Sequence, residues 1–139
     1  MSLLRVLFPC EERSFKGDRW VSISLRTLHL IGVAGLGGGF LYQAEPEAWL
    51  PYLVLTMASG CLQVCLYIWY SAIWLIQLRG LVILFKMVLL SSVVAFQEYA
   101  AHILVIIVIL SGLMAHAPGD VRYFSVFHGR RVESLEEEV

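Results

Sequence analysis

Imidazole is the side chain best suited to hold a metal or relay a proton, and this 139-residue chain carries four: His29, His102, His116 and His128. The first three fall in long apolar tracts, where an ionisable group is costly to bury and is a functional candidate by default. The fourteen residues from His102 to His116 span about 21 Å of helix, so these two lie at opposite ends of one element. His29 and His116 are the pair that can share a depth. Two imidazoles on facing helices are the arrangement that clamps a b-type haem iron axially. Arg26, one turn before His29, and Arg122, just past the last apolar tract, supply the cations that haem propionates need. Gly32, Gly35, Gly37, Gly38 and Gly39 would let a flat ring approach the backbone. The same residues support a structural reading. Gly35 and Gly39 form a GxxxG pair, Ala34 and Gly38 a second small-xxx-small pair, and both patterns serve close helix packing.

The remaining polar residues are sparse. Cys61 and Cys65 are four apart on one helical face, with side chains badly aimed for a disulfide, and read as free packing thiols; a soft-metal site with Met57 is the alternative. Cys10 reads as a free thiol on the reducing side. Glu98 and His102 would face together at the opposite end, as a solvated turn or as a proton-accepting or metal pair. Gln63, Ser91 and Ser92 are candidates for hydrogen bonds between helices, and Lys86 is expected to snorkel to the interface. Tyr67, Tyr70 and Trp74 follow spacings of three and four, giving an interfacial aromatic face or a cofactor-stacking one. Nucleophile elbows, phosphate loops and zincin motifs are missing from the sequence, so nothing points to an enzyme.

The elements that must position these groups are membrane helices. Hydrophobic residues make up 59% and charged residues 15% of the chain, with a mean hydropathy of +0.77; a soluble domain carries about 45–50% and about 25%. Ten Lys and Arg against eleven Asp and Glu leave no basic excess for a nucleic acid. A membrane span takes about 20 apolar residues. One tract runs from Trp20 to Tyr42, one from Trp49 to Leu78, and one from Leu81 to Ala117. The last is too long for one crossing and divides at Gln97, Glu98 and Tyr99. The expected spans are therefore about 20–42, 49–78, 81–96 and 100–116.

Charge supports the even number. With four crossings all ten cations belong to one side or its adjoining helix ends: Arg5, Arg13, Lys16, Arg19, Arg26, Arg79, Lys86, Arg122, Arg130 and Arg131. The other side holds Glu45, Glu47 and Glu98. The positive-inside rule then places both termini in the cytoplasm. Residues 1–19 lack the apolar core and cleavage site of a secretory signal, so the first helix is expected to stay as an anchor. Leu3, Leu4, Val6, Leu7 and Phe8 are suited to lie on the membrane surface. Residues 118–139 read as a cytoplasmic tail ending in the acidic run Glu136, Glu137 and Glu138.

The stretch RTLHLIGVAGLGGG at 26–39 resembles the opening helix of bacterial copper-resistance protein D-like and related small membrane proteins, which carry an LHxxGV start followed by a GG pair. HAPGDVRY at 116–123 is similar to the HxPGxxRYY ending of small four-span bacterial inner-membrane proteins. The resemblance implies a bacterial inner-membrane protein with His29 and His116 at the family's histidine positions. It covers about 20 residues, and no methionine-rich or multi-histidine copper stretch accompanies it. Taken together, the residues describe an all-α, integral membrane four-helix bundle of the inner membrane. It is expected to be a non-enzymatic accessory subunit, contacting the lipid bilayer and either a membrane-protein partner or further copies of itself. A b-type haem electron-transfer module on His29 and His116 is the alternative, and a small transporter or metal-handling protein a second one.

Overall fold

The computed structural model describes residues 13–132. The N-terminal apolar residues, Arg5, Cys10 and the acidic run of the tail lie outside that range. The described chain is mostly helical. α1 spans Asp18–Leu41 and begins after Gly17, whose φ of 96° turns the chain into the helix. The carboxylate of Asp18 sits in the first turn, where it complements the unpaired amides and the helix dipole. The chain reverses through Gln43, a non-glycine residue at φ 52°, and enters α2, Pro46–Tyr70, with proline at the first helical position, where its missing N–H is not needed.

The apolar tract that follows is divided, and this departs from the expected single helix over 49–78. α2 stops at Tyr70 because Ser71 is extended. A single turn, α3 at Ile73–Ile76, follows, and a second extended residue, Gln77, leads into α4 at Leu78–Ser92. The amides of Val93, Val94 and Ala95 donate to carbonyls three residues back, tightening the chain through Phe96. A 3₁₀ turn at Gln97–Tyr99 opens α5, Ala100–His116. A one-turn α6, Gly119–Arg122, then leads to a short antiparallel hairpin of β1, Phe124–Ser125, and β2, Arg130–Arg131.

Three helical segments among the described residues are long and apolar enough to cross a membrane: Asp18–Leu41, Pro46–Tyr70 and Gln97–His116. α4, with 15 residues, rises about 22 Å and by itself falls short of about 30 Å of hydrocarbon. α1 and α2 form the most extensive helix pair, and α5 packs against both α4 and α1. The core lies toward the end where α1 turns into α2 and α4 into α5. There Leu36, Phe40, Trp49, Leu53, Leu90, Val93, Ala100 and Leu104 form one buried cluster, with the Phe40 and Trp49 rings edge to face at 5.2 Å. The opposite end, where α1 begins and α5 finishes, combines the buried Ala72, Ile73, Trp74 and Val132 with polar contacts.

The described part of the segment after Pro118 packs back against the helices. Ser125 and Val132 are buried, Gln77 and Ser125 pair as an isolated antiparallel bridge, and the Gln77 side chain donates to the Val132 carbonyl at 2.7 Å. Gly129, at φ 64°, closes the hairpin loop. The physical reason is local: the break between α3 and α4 exposes backbone groups that the returning chain satisfies.

Candidate functional site

Three polar side chains of α1, Ser22, Arg26 and His29, meet partners on α2. Near the start of α1, the amide of Gln63 donates to the Ser22 hydroxyl at 3.2 Å, the interhelical bond expected of Gln63. One turn on, the Arg26 guanidinium donates to the Tyr67 hydroxyl at 3.0 Å. His29 follows. Its Nδ1 lies 3.0 Å from the Thr56 carbonyl and 3.3 Å from the Ser59 hydroxyl. A carbonyl only accepts, so Nδ1 carries the proton and Nε2 is the basic nitrogen. Thr56 and Ser59 are themselves buried and turn their hydroxyls back onto α2 carbonyls at 2.7 Å, a common way for such residues to sit inside apolar helices.

Small residues make this alignment possible. A Cβ at Gly32 would meet the Thr56 amide nitrogen at 2.9 Å, one at Gly39 would meet the Trp49 Cβ at 2.5 Å, and one at Gly35 would enter the Tyr52 ring. The GxxxG pair is thus spent inside the α1–α2 hairpin. Ala34 and Gly38 face the other way and are exposed, and no atom lies within 4 Å of the place a Cβ would take at Gly38.

Lys86 of α4 reaches across to α5. Its ammonium donates to the Ser111 hydroxyl of α5 at 2.9 Å, and Ser111 passes its own proton to the Ile107 carbonyl at 2.7 Å. Ser91 and Ser92 bond to the Val88 and Leu89 carbonyls of their own helix and make no bridge to another one. Trp74 belongs to α3, not to the helix of Tyr67 and Tyr70, although its ring reaches that of Tyr67 at 5.3 Å.

Of the residues singled out for a haem, His29 and Arg26 are engaged by α2. His116 is exposed at the last residue of α5. Arg122 lies in α6 with its guanidinium 5.8 Å from the Tyr123 ring centre. Arg79 and Arg131 approach the same ring at 4.6 and 5.5 Å, and Arg131 pairs with Asp120 at 2.7 Å. This arginine–tyrosine cluster was missed by sequence reasoning; its members lie in three elements with no shared spacing. Cys61 and Cys65 are free and exposed on α2. Glu98 sits in the 3₁₀ turn, and the His102 ring lies 6.5 Å from that of Tyr99. No group of three or more His, Cys, Asp or Glu side chains converges among the described residues. Comparison with protein-family models, characterised proteins and solved structures finds no match to this chain.

Proposed function

We propose that this chain is a four-span, non-enzymatic accessory subunit of the bacterial inner membrane, which docks a partner membrane helix against the exposed Ala34–Gly38 face of α1. One observation carries the reading: the small residues of α1 divide between two faces. Gly32, Gly35 and Gly39 are closed against α2, whereas Gly38 stands open beside the exposed Ala34. A small-xxx-small face open to lipid allows a second helix to approach at backbone distance, where van der Waals packing drives association.

The fourth crossing is residues 78–96. α4 supplies its fifteen helical residues, and the tighter turns to Phe96 extend the rise to about 30 Å. Four crossings put every cation on the side of the termini or at its adjoining helix ends, and the positive-inside rule assigns that side to the cytoplasm. The resemblance of residues 26–39 and 116–123 to small bacterial inner-membrane proteins favours the same setting.

Replacement of Gly38 by leucine is the test. In the docking reading G38L copurifies with less of its partner while the isolated subunit melts as the parent does; unchanged copurification would refute it. The second reading, a haem held by His29 and His116, draws support from the hydrogen bond at His29 Nδ1, which leaves Nε2 basic, as axial ligation requires. A reduced-minus-oxidised absorption spectrum distinguishes the two: sharp α and Soret bands lost in both H29A and H116A support the haem, and a featureless spectrum supports the accessory subunit.

A further inference from the structure

Around the first turns of α1 the polypeptide encloses an open hollow of about 620 Å³ whose lining includes Arg13, Arg19, Arg26, Asp18, Ser22 and Tyr70. The described lining holds one carboxylate, and it is occupied locally, Asp18 Oδ1 accepting the Arg19 amide at 2.5 Å. Arg19 has no side-chain partner among the described residues. Arg26 is exposed in a membrane-crossing helix and has one neutral partner, the Tyr67 hydroxyl. The residue facing Arg26 across the hairpin lies near position 62, by the register of Gly32 against Thr56 and Gly39 against Trp49. The guanidinium therefore reaches about a turn toward the terminal end of the bundle to meet Tyr67, which draws it toward Arg19 and the hollow.

The depth of the hollow is marked by tryptophans. Trp20 and Trp69 are 73% and 54% exposed, flank the opening in sequence, and are the residue type that anchors at the headgroup level; the Arg13 guanidinium lies over the Trp69 ring at 5.0 Å. A charged arginine facing lipid with no acidic partner needs an anion from elsewhere. Guanidinium recognises phosphate oxygens through paired N–H groups, and the Ser22 hydroxyl, which accepts from Gln63, keeps its own proton to donate to an ester oxygen. We infer that this hollow binds the phosphate of an anionic phospholipid headgroup, with Arg19 and Arg26 as its principal ligands. The chemistry is that of a phosphate ester, and the interfacial position selects the lipid-borne form over a soluble one. The inference rests on α1 and α2 crossing a bilayer and is independent of docking at Gly38.

The test is native mass spectrometry of the detergent-solubilised full chain with phosphatidylglycerol, phosphatidylcholine or glycerol 3-phosphate added. The parent is expected to retain phosphatidylglycerol in preference to phosphatidylcholine, and added glycerol 3-phosphate is expected not to displace it. R19Q should weaken retention about fivefold, and R26Q by a similar factor on top, the effect of one cation near a membrane surface. R130Q removes a cation outside the hollow and should retain the lipid. Equal retention of the two lipids by the parent, or parent-like retention by R19Q/R26Q, overturns the proposal. Displacement of phosphatidylglycerol by glycerol 3-phosphate makes the ligand a soluble phosphate ester and overturns the lipid assignment. Carbonate extraction of cell membranes is scored separately. A soluble pool there faults the membrane reading itself, whereas an integral protein without a lipid preference faults only the headgroup site.

Discussion

At Gly39 the volume of a methyl group is already taken by Trp49, whereas at Gly38, one residue earlier, it is empty. Adding one carbon at adjacent positions therefore has opposite consequences. G39A is expected to cost about 1–3 kcal/mol through overpacking, and G38A to stay within about 0.5 kcal/mol; thermal unfolding in one detergent measures both, and equal melting points would contradict the packing described for α1 and α2. The Lys86–Ser111 contact permits a second test. Both partners lie in apolar helices, where hydrogen bonds between helices contribute about 0.6 kcal/mol on average. K86M and S111A should show a coupling of that order in a double-mutant cycle, and strict additivity would mean that the 2.9 Å contact contributes nothing.

The element that couples the two halves of the chain is the break between α3 and α4. Gln77 is almost fully buried, donates to the Val132 carbonyl and accepts from Arg79 Nε at 2.6 Å, so one amide joins the helices to the hairpin. Leucine at this position has a similar volume and leaves the Val132 carbonyl and Arg79 without their partner. Q77L should destabilise this junction by about 1–3 kcal/mol, the cost of a buried group left unsatisfied. Opening would be local, since residues 119–132 do not belong to the apolar core cluster. Trypsin should then cut after Arg122 or Arg130 faster than in the parent while α1 and α2 stay protected, and unchanged cleavage would show that Gln77 does not hold the hairpin.

Over the whole molecule the two ends of the bundle differ in kind. One is an apolar cluster contributed by α1, α2, α4 and the start of α5; the other carries the arginines, the hairpin and the hollow. That asymmetry fits a bundle crossing a bilayer with its cations on one side. In a background with the native cysteines replaced by serine, the proposed topology predicts that E45C and E98C both react with an impermeant thiol reagent added to intact cells, and R130C only after the membrane is opened. If E45C and E98C label from opposite sides, residues 78–96 do not cross and the four-span topology fails.

Apolar length determined much at the level of sequence. α5 occupies Ala100–His116, the bounds expected from its hydropathy, and α1 differs by two residues at its start and one at its end, because an apolar run in a bilayer satisfies its backbone polar groups within a helix. The pairing of Gln63 with another helix was legible for the same reason: an amide in an apolar span needs a partner. The tertiary structure decided the rest. Nothing in the run from Trp49 to Leu78 marks Ser71 and Gln77 as extended, since Gln77 takes that conformation with Ser125 and Val132, nearly 50 residues or more away. Which glycines of residues 32–39 pack inward and which stay open also depended on the angle at which α2 crosses α1, a quantity that hydropathy does not encode. His29 faces α2 by the same geometry, and the hollow at the arginines exists because the end of α2 returns beside the start of α1.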